Sequence, residues 1–241
     1  MSQNLPYAKA PIMEALLDIR VPTEVSRSSL QTVADSLKAE YSKVSDTTES
    51  DVPPTDGGGP RFTPGGLTGR WEKQARGFRL DPNGITVSKF WPYVDWADLR
   101  AESERLWSIF QNHTQATAVS RVGLRYINII DVPTIDGATN IADWFNTAVS
   151  IPDSYGVPAS NFAFKLTFPV NSVAGWCSLM CSPVATKETE TLSIFLDIHV
   201  YKKLSTPVLP SEAWDLFDKL REAKNHFFES TITDKTRGLF K

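Results

Sequence analysis

Between residues 162 and 200 three apolar stretches follow one another with no helical pattern between them, and this succession constrains the fold more than any other feature of the chain. Phe162, Phe164, Leu166 and Phe168 alternate with Ala163, Lys165 and Thr167; a mixed run spans 176–182; Leu192, Ile194, Leu196, Ile198 and Val200 alternate with Ser193, Asp197 and His199. A period of two marks strands with one buried face. Because a parallel crossover consumes about a dozen residues, strands joined by short turns pair antiparallel.

Two further strands carry the same signature. In 12–21, Met13, Ala15, Leu17, Ile19 and Val21 point one way and Glu14, Asp18 and Arg20 the other. In 119–132, Val122, Leu124, Tyr126, Ile130 and Val132 share one face, while Arg121, Gly123 and Arg125 share the opposite one. Asp81-Pro82-Asn83-Gly84 between Phe78/Leu80 and Ile85/Val87 has the chemistry of a type I turn, which predicts a hairpin.

Helical spacing appears elsewhere. Ser26 or Ser28 can cap a helix whose stripe is Leu30, Val33, Ala34, Leu37 and Tyr41, ending near Lys43. Asp95 can cap another, with Leu99, Leu106, Trp107 and Phe110 inward to about Asn112; Asn140 can cap a short one before Trp144 and Phe145. Ser211 is the expected cap of a long C-terminal amphipathic helix with Trp214, Phe217, Leu220, Phe227 and Phe228 on one side, and Thr233 that of a final turn. The expectation is an α+β fold: one domain over 1–241, a predominantly antiparallel sheet with helices on one face. Residues 45–69, with Pro53-Pro54 and Gly57-Gly58-Gly59-Pro60, read as a flexible loop.

Composition narrows the function classes. At 241 residues with 41% hydrophobic and 22% charged side chains, the chain can bury roughly 70–75% of its unfolded surface in one core. A formal charge of −3 supplies no general field toward nucleic acid or anionic membrane, so both are disfavoured as partners. The N-terminal residues lack the basic-then-apolar pattern of a signal peptide, and no run approaches the ~18 apolar residues of a membrane span; a cytoplasmic protein is expected. Cys177 and Cys181, four residues apart on one strand and so ~13 Å apart, read as free thiols in the core.

Motif chemistry is sparse. His113, His199 and His226 stand alone without metal-ligand spacing, so neither metal nor cofactor is expected. The glycine stretches lack the Gly-Lys-Ser/Thr of a phosphate loop, and no Gly-x-Ser-x-Gly elbow occurs. Phe90-Trp91-Pro92-Tyr93-Val94-Asp95-Trp96, with Lys89 as its one cation, reads as core or loop anchoring in preference to a base-stacking platform. The mixed charges of the last helix, Lys219, Arg221 and Lys224 among Asp215, Asp218 and Glu222, read as a solvated face.

What remains is charge on strand faces. If the first, central and late strands are neighbours, Glu14, Asp18, Arg121, Arg125, Asp197 and His199 form one polar patch. It is either a set of cross-strand ion pairs or a site where two Arg forks grip a phosphate or carboxylate. Ile127, Ile129, Phe195 and Tyr201 share that side, which implies partial cover.

Three segments carry a resemblance: Tyr7-Ala8-Lys9-Ala10-Pro11-Ile12-Met13-Glu14-Ala15; Arg121-Val122-Gly123-Leu124-Arg125-Tyr126-Ile127-Asn128; and Lys224-Asn225-His226-Phe227-Phe228-Glu229 with Ile232-Thr233-Asp234-Lys235. Together they resemble an uncharacterised, sporadically distributed bacterial protein family, and the resemblance implies a defence or toxin–antitoxin setting without a mechanism. The functional expectation is a non-catalytic recognition module for a protein partner or a small anionic ligand. The alternative is a hydrolase or nucleotide-processing enzyme using the Arg/His/Asp patch.

Overall fold

The antiparallel pairing required by those consecutive strands extends across the molecule. A computed structural model describes residues 7–41, 43–46, 66–147, 162–186 and 190–241. Among these, nine strands form one antiparallel sheet: β1 (Ile12–Arg20), β2 (Lys43–Asp46), β3 (Leu67–Trp71), β4 (Arg76–Asp81), β5 (Gly84–Phe90), β6 (Val119–Pro133), β7 (Phe164–Val170), β8 (Gly175–Val184) and β9 (Thr191–Val208). Their order is β2-β3-β4-β5-β1-β6-β9-β8-β7. The first strand therefore lies in the centre, between the successive strands β2-β3-β4-β5 and a second group in which β6 pairs with β9, the last strand of the succession β7-β8-β9.

Three helices pack on one face: α1 (Arg27–Leu37), α2 (Trp96–Thr114) and α3 (Pro210–Thr231), followed by the short α4 (Asp234–Gly238). Beneath them lie Ala15, Leu17 and Ile19 of β1, Ile85 and Val87 of β5, Val122 and Leu124 of β6 and Ile194, Leu196, Ile198 and Val200 of β9, all buried in one continuous core. The α+β architecture, with its long C-terminal helix, is as expected. No helix among the described residues is long and apolar enough to cross a membrane.

Local chemistry sets most boundaries. Ser26 caps α1, accepting from the Ser29 N–H at 3.2 Å, and Asp95 caps α2, accepting from Asp98 at 2.8 Å. At the β4–β5 hairpin the Asp81 carboxylate accepts from the Asn83 N–H at 3.0 Å, and Asp81 pairs with Gly84. Gly84 has φ +148°, and a Cβ there would stand 2.1 Å from the Ile19 carbonyl oxygen, so glycine lets the turn approach β1.

Four boundaries differ from expectation. The C-terminal helix is capped at Leu209 with Pro210 in its first turn, because proline lacks the N–H that this position leaves unused; Ser211 lies inside. Helix α1 stops at Leu37, and Tyr41 reaches the core from the turn that follows. The Asn140-capped segment is a single 3₁₀ turn, Ile141–Asp143. The loop read over 45–69 is shorter at both ends: 43–46 and 67–71 pair as β2 and β3, and residues 47–65 lie outside the described residues.

Candidate functional site

Register brings the predicted polar residues onto one face, opposite the helices. β1 pairs with β6, aligning Asp18 with Gly123 and Arg20 with Arg121, and β6 pairs with β9, aligning Arg125 with His199 and Ile127 with Asp197. Arg125, 3% exposed, bonds Asp197 through two parallel contacts, Nε to Oδ1 at 2.8 Å and Nη2 to Oδ2 at 2.7 Å. Asp18 accepts from Arg121, pairs with Arg20 and accepts from Thr86 at 2.8 Å. Burial by itself would raise the Asp18 carboxyl, but the Arg20 and Arg121 charges and these bonds hold it well below the usual carboxylate range. His199 is buried, its Nε2 3.4 Å from Arg121. Desolvation first, then the Arg121 and Arg125 charges, push its pKa well down, so the imidazole is neutral at pH 7. Desolvation raises the Glu14 carboxyl on the same face.

The arrangement resolves largely into internal pairs. Both carboxylate oxygens of Asp197 are engaged by Arg125, and the guanidinium of Arg121 is turned onto Asp18 and over the Tyr201 ring, 4.8 Å from its centre. Each acid thus neutralises a neighbouring base across one strand, and burial tightens the exchange.

An open space of another kind lies on the helix side. A cavity of about 650 Å³ is walled by residues 7–12, the 91–96 connection from β5 to α2, Tyr126 and Asn128 of β6, and one face of α3. Its size falls within the range of ligand sites, about 300–1,000 Å³. Three stretches distant in sequence contribute to it: Tyr7 to Ile12, Tyr126 with Asn128, and Lys224, Asn225, Phe228 and Glu229. They meet there although they are about a hundred residues apart in sequence.

The wall is built from the sequence upward. Tyr7 packs edge-on against Phe240 at 5.2 Å and donates to Glu229 at 2.8 Å, while the Lys9 N–H bonds the Phe240 carbonyl at 3.0 Å; these contacts tie the leading segment to the C-terminal elements. Tyr93 meets Tyr126 edge-on, their hydroxyls 2.8 Å apart. Trp96, at the start of α2, donates its indole N–H to Asp218 of α3 at 2.9 Å. Trp91 and Val94 are 64% and 66% exposed beside the opening. The aromatic segment 90–96 is therefore split: Tyr93 and Trp96 anchor, while Trp91 and Val94 stand free at the mouth.

Charge inside the cavity is unbalanced. Glu229 is taken up by Arg237, Nε to Oε2 at 2.9 Å, and by Tyr7. Asp95 is occupied as the α2 cap. Arg221 and Lys224, three residues apart on α3 and so one above the other, have no ion-pair partner among the described residues. Arg221 leans over Trp96, 5.9 Å from the ring centre, and Lys224 Nζ stands 3.8 Å from the centre of the Tyr126 ring. Lys224 is 8% exposed, and desolvation, aided by the Arg221 charge and opposed by Glu229, brings its pKa down to about 7.

The solvated-face reading of Lys224 is thus corrected. With Phe217, Leu220 and Phe228 it falls on the buried stripe of α3. That position was legible: a lysine at seven after Phe217 and four before Phe228 interrupts an apolar face.

Fold and cavity define an α+β sheet protein with a cationic, aromatic-walled pocket between sheet and C-terminal helix. Comparison with protein-family models and with curated proteins yields no match. No group of three metal-ligating side chains occurs among the described residues, and both cysteines are buried, their thiols pushed up to about 12 by desolvation.

Proposed function

We propose that the chain is a non-catalytic recognition module whose ligand is a small organic anion with a flat apolar body, held in the cavity at α3. The observation that carries this is the pair Arg221 and Lys224: two basic side chains with no carboxylate ion-pair partner among the described residues, in a space whose walls include Tyr93, Trp96 and Tyr126. An unpaired buried cation is costly, and an incoming carboxylate removes that cost. Aromatic walls take the body of the ligand by stacking and edge contacts. The buried Arg/Asp/His face of the sheet then acts as internal framework, with Arg125–Asp197 and Arg121–Asp18 holding β1, β6 and β9 in register.

The test is a titration followed by the fluorescence of Trp91 and Trp96, using benzoate and its neutral counterpart benzamide. Benzoate is expected to bind about tenfold tighter, the value of one charge-assisted contact. Arg221→Gln is expected to abolish that preference. Equal binding of the two probes, or a preference untouched by Arg221→Gln, overturns the reading in favour of a macromolecular partner.

A further inference from the structure

Resting on that reading, the geometry points to covalent capture: we propose that the anion is an oxo acid, a carboxylate carrying an aldehyde or ketone, and that Lys224 holds it as a reversible imine while Arg221 pairs with its carboxylate. Three observations support it. Lys224 and Arg221 are one helical turn apart, a rise of about 4.5 Å, so a single small molecule can meet both. Nζ lies over the Tyr126 face, where a cationic iminium gains the same ring attraction as an ammonium ion. Among the described residues no carboxylate holds Nζ protonated by direct contact, and burial leaves a large share of the amine neutral at pH 7.

The step balances without redox chemistry. The lone pair of neutral Nζ forms a bond to the carbonyl carbon, and the C=O π pair moves to oxygen, which takes up a proton as nitrogen gives one to water at the cavity mouth. The carbinolamine then loses its hydroxyl, with a proton, as water, and the nitrogen lone pair forms the C=N bond. Amine and carbonyl become imine and water, and hydrolysis returns both.

The experiment uses the full chain with 4-formylbenzoate as probe and sodium cyanoborohydride, which delivers hydride to the imine carbon and makes the link permanent; modified lysines are located by peptide mass mapping. At about pH 7.5 an amine with Lys224's pKa is more often neutral than a surface lysine by a factor on the order of several hundred. Lys224 is therefore expected to be modified at least about tenfold faster than any other lysine, since nucleophilicity falls somewhat with basicity. Benzaldehyde, lacking the carboxylate, is expected to react several-fold more slowly there, and Arg221→Gln to remove the difference between the two probes. Lys224→Met, checked by circular dichroism, loses the fast site and keeps the slow background. Labelling spread evenly over surface lysines overturns the proposal. If benzoate binds at the cavity yet 4-formylbenzoate is not trapped on Lys224, covalent capture falls and anion recognition stands; if neither probe binds, both fall.

Discussion

Lys224 of α3 and Tyr126 of β6 meet with the amine nitrogen 3.8 Å from the centre of the ring, so a basic side chain on the buried stripe of a helix rests on the π-face of a strand residue. Tyr126 is in turn bonded to Tyr93, 2.8 Å between hydroxyls, and desolvation raises its phenol pKa well above the ordinary value. The phenol stays neutral at physiological pH and offers the ring, not a charge, to the amine.

Stability is expected to depend on pH through this lysine. The charges acting on it are Arg221 and Glu229 of its own helix, Tyr126 of β6 lies against it, and the other titratable groups lining the same cavity are Tyr7 and Lys9 of the leading segment and Tyr93 and Asp95 of the 91–96 connection. Its pKa is about 7 in the fold and ~10.4 in the unfolded chain, so between these values the unfolded state holds one more proton. Stability therefore rises with pH across that window, by up to about 1.4 kcal/mol per pH unit. In urea denaturation at pH 7 and pH 9, Lys224→Met is expected to lack this increment. An identical increment in the variant refutes the assignment.

The buried Arg125–Asp197 pair predicts non-additivity. Asp197→Leu alone leaves a buried guanidinium unpaired and is expected to cost about 3–5 kcal/mol, whereas Arg125→Met with Asp197→Leu costs less than either single change. Guanidinium chloride denaturation of the four proteins measures the coupling. Strict additivity would mean that the pair contributes nothing as a pair.

Acid denaturation reports on Asp18. Its folded pKa is depressed, so its stabilising contribution is present above the unfolded carboxyl value of ~3.9 and is lost as pH falls from there toward the folded value. Asp18→Asn is expected to lower stability at pH 7 and to flatten the loss of stability below about pH 4. Parallel acid limbs for the two proteins would contradict this.

Two glycines of positive φ separate conformational cost from crowding. At Gly84 a Cβ meets the Ile19 carbonyl at 2.1 Å, while at Gly137, φ +76°, nothing lies within 4 Å. Gly84→Ala is expected to cost about 2 kcal/mol or more and Gly137→Ala about 1 kcal/mol. A larger fall in thermal midpoint for Gly137→Ala would reverse that ranking.

Alternation of side chains decided which residues share a face, and that much was legible before any coordinates: Arg121 with Arg125, Glu14 with Asp18, Asp197 with His199. Turn chemistry did the same for the β4–β5 hairpin, and cap chemistry for the start of α2. These are local properties, set by the pleat and by groups within three or four residues of each other. The short strands β2 and β3 escaped because they border a long stretch of turn-forming residues and pair across it. Partners were also out of reach. That Arg125 bonds Asp197 while standing in register with His199, and that Asp18 takes Arg121 from the neighbouring strand, depends on β6 lying between β1 and β9. The cavity is further still from local control. Tyr7, Tyr93, Tyr126 and Lys224 come together only when the leading segment, the sheet and the last long helix are docked, because a space is defined by the walls around it and no single stretch of chain supplies more than one.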